Sequence, residues 1–148
     1  MSLKETIKNQ ILENERKDLE ALKGMYEIYA GAADLDEESS LGHEDFAKQD
    51  ESRESARSLS FRIDRAEAIL KAFLQLDFGP KSKVTPGALV MTDSFGFMIG
   101  IASIAFDYEG QSYIGVNVEA PIYKALDGAE VGDEIVFNSK KYKILNIL

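Results

Sequence analysis

Ala56, Leu59, Ile63, Ala66, Leu70 and Phe73 step 3, 4, 3, 4, 3 along the chain. No other pattern in the sequence limits the possible folds so strongly. That spacing lines one stripe of a helix with apolar groups and makes the seam of a coiled coil. It predicts a helix from about Glu44 to Asp77. The stretch from about Leu3 to Ala30 is the natural partner: Leu12, Leu19 and Tyr26 recur every seven residues, Leu22 and Tyr29 fill the alternate position, and Glu15 breaks that second row. At a rise of ~1.5 Å per residue each helix spans roughly 40–50 Å. Neither has apolar surface on all sides, so the simplest solution is an antiparallel hairpin with the seams face to face. The seam of the second helix fades toward the bend, where its positions are Ser52, Gln49 and Asp45, so that end is expected to be loosely packed and wet. Gly24 weakens the first helix by about 1 kcal/mol relative to alanine.

The bend concentrates charge. Residues 34–54 hold nine acids (Asp34, Asp36, Glu37, Glu38, Glu44, Asp45, Asp50, Glu51 and Glu54) against Lys48 and Arg53, leaving −7 of a net −9 for the chain. Gly31, Ser39, Ser40 and Gly42 are turn and capping residues, so residues 31–43 read as the tip. Three readings fit the acids. They can simply solvate the turn, which is the simplest account of their spacing. They can form a calcium loop, but Asp34-Leu35-Asp36-Glu37-Glu38 lacks the twelve-residue spacing and central glycine. Or a pair such as Asp34 and Glu37 can be delivered to a metal held by a partner, since Mg²⁺ is often held by one or two protein carboxylates plus phosphate oxygens. Arg53 and Arg57, one turn apart on a shared helix face, offer an RNA or polymerase contact. Ordinary surface charge offset by Asp50, Glu54 and Asp64 is the simpler reading.

Composition changes at Gly79-Pro80, a step that ends a helix. Before it there is no proline; beyond it lie Pro86, Pro121 and most of the glycines. The boundary falls within 78–84, giving a helical domain over 1–79 and a second domain over 80–148. The second half reads as strands over 87–92, 97–106, 112–118, 133–138 and 141–147. Turns are expected at Asp93-Ser94-Phe95-Gly96, Glu109-Gly110 and Asn138-Ser139, and a short helix over Pro121–Leu126 ends at Gly128. The fold class is α+β: a helical hairpin followed by a small twisted sheet with one helix against it.

Cysteine is absent, which excludes disulfides and thiolate metal sites. His43, in the acidic bend, is the only histidine, which comes close to excluding histidine-based metal sites and catalytic triads; a solvated turn residue is its better reading. No phosphate-binding or dinucleotide fingerprint is present. The longest uncharged run, Ser94 to Phe106, is short of the ~20 residues of a membrane span, and the charged N-terminus does not resemble a signal peptide. A soluble, cytoplasmic protein is expected. Its acidity argues against broad binding to nucleic acid phosphates.

The run from Val118 to Ile147 is more specific. Pro121, Ile122, Ala125, Leu126, Gly128, Gly132, Asp133, Tyr142 and Ile144 match a Pro-(Leu/Ile)-x-x-Ala-Leu-x-Gly-x-x-x-Gly-Asp run followed by a closing Tyr-x-Ile strand. Val84-x-Pro86-Gly87-Ala88-x-Val90 matches the opening strand of the same pattern. Over residues 84–147 the sequence resembles the C-terminal domain of the bacterial Gre (GreA/GreB) transcript-cleavage factors. Ala120 stands for the usual serine and Tyr123 for a small residue. The family pairs a helical hairpin with an FKBP-like domain, and its hairpin carries an Asp-Leu-Ser-Glu-Asn tip. Asp34 and Glu37 take the acidic places of that tip; Asp36 and Glu38 replace the serine and the asparagine as additional acids.

The resemblance implies a monomeric partner of bacterial RNA polymerase. The C-terminal domain, through Pro121, Ile122 and Tyr123, would dock at the rim of the secondary channel while the hairpin enters it. Asp34 and Glu37 would then share Mg²⁺ with the polymerase active site and position water against backtracked RNA. The nascent RNA is met only indirectly. The polymerase is the catalyst in this picture, so the chain is not an enzyme by itself and holds no metal stably alone. An alternative is a channel-occupying regulator or inhibitor without cleavage. A prolyl isomerase, suggested by the FKBP-like fold alone, has no aromatic-lined site assignable from sequence.

Overall fold

The computed structural model describes residues 2–33 and 43–148, with the backbone only for 43–46. The described chain divides into two compact units, Met1–Glu13 with Leu70–Leu148, and Asn14–Ile69. Two long helices, α1 (Leu3–Ala33) and α2 (His43–Leu74), are followed by a six-stranded mixed sheet and one short helix.

In the Asn14–Ile69 unit the seam of α2 is buried at Ala56, Leu59 and Ile63. Leu19 and Ala33 of α1 are buried as well, while Tyr26 and Tyr29 are each 37% exposed. At the far end of the seam Ser52 is half-buried and the Asp45 side chain lies outside the described residues, while Gln49 departs from the wet reading. Gln49 is only 8% exposed, and its Nε2 donates to the main-chain oxygen of Ala33 at 2.8 Å. An amide with a partner can be buried where an unpaired polar group cannot, so this position is dry. Helix α1 also runs three residues beyond Ala30, through Gly31.

In the other unit α2 stops at Leu74, short of Asp77. The amides of Gln75 and Leu76 bond back to Ala72 and Phe73 at 3.2 Å each, tightening the last turn. The Asp77 carboxylate then accepts from the Gly79 amide at 2.8 Å and pairs with Lys81 at 3.2 Å, which turns the chain toward the sheet. The Gly79 bond, then Lys81, holds the Asp77 carboxyl below its usual range.

The strands are β1 (Leu89–Thr92), β2 (Phe95–Ile99), β3 (Phe106–Tyr108), β4 (Gln111–Val116), β5 (Glu134–Phe137) and β6 (Lys140–Ile147), in the order β3-β4-β2-β1-β6-β5. Helix α3 (Pro121–Leu126) lies between β4 and β5 in sequence. Only β2 and β4 pair in parallel; the other neighbours are antiparallel.

The strand reading is off by one or two residues at several ends, and three differences have a visible cause. The first strand begins at Leu89 because Pro86-Gly87 forms a turn closed by the Ala88 amide on Thr85, with Gly87 at φ 89°, a conformation that suits glycine. The turn after β1 is shorter than expected: the Thr92 hydroxyl oxygen accepts from the Ser94 and Phe95 amides and holds the Phe95 oxygen at 2.7 Å. Phe95 therefore already lies in β2. The long strand expected over 97–106 is two strands. Residues between Ile99 and Phe106 leave the ladder, and the Ser103 hydroxyl instead receives the Gly115 amide at 2.7 Å. The two-residue turns at Glu109-Gly110 and Asn138-Ser139 are as expected, with positive φ at all four positions.

The core on one sheet face contains Val90, Phe97, Ile99, Val116, Ile144 and Ile147, capped by Tyr123 and Leu126 of α3. Leu89 and Met98 alternate onto the opposite face and are also fully buried. Ile7, Ile11 and Phe73, from the helix ends in the same unit, are fully buried too.

Candidate functional site

The acids Asp34, Asp36, Glu37 and Glu38 lie outside the described residues. Of the described chain, two places gather functional chemistry, one in each unit.

The first is a groove of ≈ 420 Å³ in the Asn14–Ile69 unit, lined by Tyr26, Ala30 and Ala33 of α1 and Arg53, Ala56 and Arg57 of α2, together with Ser60. It exists because small alanines occupy positions where a coiled coil would normally place large side chains. Tyr26, a seam position by sequence, opens onto this groove instead of filling the seam. A second hollow of ≈ 310 Å³ shares Tyr26 and Ser60 and adds Lys23, Glu27 and Ile63. The structure thus brings Arg53 and Arg57 together on one wall and adds Tyr26, which sequence reasoning had assigned to the core. Both arginines have acidic neighbours: Arg53 reaches Asp50 at 3.2 Å and Arg57 reaches Glu54 at 3.9 Å. These pairs are exposed and hold the side chains only weakly.

The second lies between the sheet and the start of α3. Phe95, Phe97, Ile114, Val116 and Tyr142 from the strands, with Ala120 and Ile122, line a mainly apolar pocket of ≈ 320 Å³. Phe97 and Tyr142 meet edge to face at 5.6 Å, a favoured aromatic geometry. Lys140 stands over the rings of Phe95 and Tyr142, at 5.7 and 5.1 Å, so a cation edges an apolar site.

Helix α3 starts with Pro121 in its first turn, and Ala120 supplies no side-chain cap. Proline suits this position because it lacks an N–H that would otherwise go unpaired. Pro121 is exposed and Ile122 half-buried on the pocket wall. Tyr123, read from sequence as a surface residue for a partner, is 8% exposed and belongs to the core. Its hydroxyl donates to Asp127 at 3.2 Å, and burial, then that bond and the Asp127 charge, push its pKa up. A partner at this helix would meet Pro121 and Ile122 directly.

The aromatic pocket was missed in the sequence. Its rings come from β2 and β6, far apart in the chain, and only the register of the sheet brings them together. The alternation Phe95-Gly96-Phe97 was the available sign that two rings face one side.

Among the described residues no group of three or more His, Cys, Asp or Glu is placed to hold a metal ion. Among them, too, no helix is long and apolar enough to cross a membrane.

No protein-family model matches the chain, and no curated protein matches it. Solved structures do. One, described as the transcription factor Gfh1, is 19% identical, covers 93% of this chain and 92% of its own, and superposes with a TM-score of 0.38. Another, GreA factor homolog 1 (Gfh1) of Thermus thermophilus, is 18% identical, covers 98% of this chain and 94% of its own, and gives a TM-score of 0.35.

Proposed function

We propose that this protein binds bacterial RNA polymerase and regulates transcript elongation, with its helical hairpin entering the secondary channel and its acidic tip reaching the active-site Mg²⁺. The observation that carries the reading is the order of parts. Helices of 31 and 32 residues enclose the acidic segment. They precede a sheet domain in which the matched Pro121–Asp133 run forms α3, its exit turn and the return into β5.

In this reading the pocket beside α3 is the docking cleft. An apolar side chain of the polymerase would occupy the space between Phe95, Phe97 and Ile122, with Lys140 at its edge. In the acidic segment, Asp34 and Glu37 would complete the coordination of a second Mg²⁺ already held in part by the polymerase. Two such ions stabilise the attacking and leaving oxygens of a phosphodiester cleavage. The chain's own contribution is to lend carboxylates and position them; the bond-breaking site belongs to the polymerase.

The test is to add the protein, with Mg²⁺, to a backtracked elongation complex and look for shortened RNA. The expected result is cleavage that disappears in the Asp34→Ala, Glu37→Ala double variant while polymerase binding persists. Unchanged cleavage in that variant overturns the assignment of the tip. The second reading is a regulator that occupies the channel without supporting cleavage. Asp36 and Glu38 favour it, because they add two charges where the family tip carries serine and asparagine. It expects binding and slower nucleotide addition with no shortened RNA.

A further inference from the structure

We infer that Gln49 is a positioning residue, a lock that fixes the axial register of α1 against α2 at the acidic end of the hairpin. This rests on the function proposed above. Gln49 lies one heptad before Ala56, in line with Ile63, so an apolar residue there would continue the stripe. The chain places an amide there instead, buries it to 8% exposure and aims its Nε2 at the Ala33 oxygen, 2.8 Å away. Ala33 is the last residue of α1 and is itself buried at 9%.

Among the described residues α1 has no basic side chain in its final turn, and the donor that reaches the Ala33 oxygen comes from the other helix, at Gln49. The bond forms in only one register. A slip of one helical turn, ~5.4 Å, would carry the amide away from the carbonyl and leave it buried without a partner. Other features at this end resist sliding poorly, because Ala30, Ala33 and Ala56 are too small to interlock deeply. A buried polar group in a seam lowers stability and in return specifies pairing. Asp34 follows Ala33 directly in the sequence, so fixing Ala33 fixes the point at which the acidic segment is attached.

The test uses Gln49→Leu, which restores the apolar stripe and so does not threaten folding. Cleavage in backtracked complexes is measured across protein concentration, beside thermal melting. The expected result is a higher melting temperature, an unchanged half-saturating concentration and a maximal cleavage rate lower by roughly 10- to 100-fold, the scale of a misplacement near 1 Å. Gln49→Lys, which keeps a donor, is expected to retain most of the rate. A merely structural residue would not give greater stability together with lost rate. A Gln49→Leu protein with wild-type rate, or one changed only in half-saturating concentration, overturns the lock. If the wild-type protein elicits no cleavage, the cleavage reading fails and the lock is decided by amide exchange. Faster exchange in the last turn of α1 in Gln49→Leu supports it, and unchanged exchange there overturns it.

Discussion

Lys4 Nζ donates to the main-chain oxygen of Gly79 at 2.9 Å, and the same ammonium reaches the oxygen of Leu148 at 3.0 Å. One side chain near the start of α1 thereby fastens the linker after α2 and the residue that follows β6, all within one compact unit. The lysine is 7% exposed. Burial, then Lys81, lowers its pKa below the usual 10.5, and Asp77 partly opposes them. Lys4→Met would keep the stem and remove the donor from two carbonyls. The expected loss is about 1–3 kcal/mol, read as a lower urea midpoint. Because the folded pKa is depressed, the lysine's titration contributes its full stability above pH 10.5 and loses it as pH falls through the folded value. The gap between wild type and Lys4→Met should therefore widen as pH rises toward 10.5.

Glu15 interrupts an apolar row of α1 and is half-buried. Burial, then the nearby Asp18, raises its pKa above 4.5. A raised carboxyl contributes stability that is fully present below the unfolded value and lost as pH rises through the folded one. At pH 7 its charge is therefore a cost, though screening at a half-exposed site keeps it to roughly a few tenths of a kcal/mol. Glu15→Gln should melt slightly higher than wild type at pH 7, and the advantage should vanish below pH 4.5. An advantage that persists at acid pH would contradict this account.

Gly115 of β4 sits where the chain after β2 comes closest. A Cβ there would overlap the main-chain oxygen of Ile101, with Ser103 Oγ 2.8 Å away. Relief requires the backbone itself to move. Gly115→Ala is expected to destabilise the sheet unit by about 1–3 kcal/mol, the usual range for overpacking, seen as a lower denaturation midpoint.

Ile122 tests the proposed docking cleft. It is half-buried on the pocket wall and precedes the core residue Tyr123. Ile122→Asp places a charge among Phe95, Phe97 and Tyr142. Polymerase affinity should fall at least about tenfold, equivalent to about 1.4 kcal/mol, with the circular dichroism of the sheet unchanged. Retained affinity would move the docking surface elsewhere.

Much of this architecture is legible in the residues, because its strongest signals are local. The 3, 4, 3 stepping of Ala56 to Phe73 yields α2, and Pro121 with Gly128 brackets α3. Glu109-Gly110 and Asn138-Ser139 turn where turn chemistry says they should. What the sequence concealed depends on partners distant in the chain. Gln49 looked like a wet end of the seam because the Ala33 carbonyl that satisfies it lies across the bend. Tyr26 looked like core because nothing local says that Ala30 and Ala56 leave a groove beside it. The strand expected over 97–106 ends at Ile99, where Gly100 takes a positive φ, and the Ser103 hydroxyl further on accepts the Gly115 amide. Tyr123 resembled a surface substitution in a motif, yet its ring fills the space under the sheet.

The order β3-β4-β2-β1-β6-β5 also decides where this chain can be cut. Its rims are short, with three residues in β3 and four in β5, and short rims give a neighbouring molecule little backbone to zip onto. Removing residues 134–148 would strip away β5 and β6 and turn β1, with its fully buried Leu89 and Val90, into an open border. A fragment trimmed there would be sticky, whereas the untrimmed sheet is blunted on both sides.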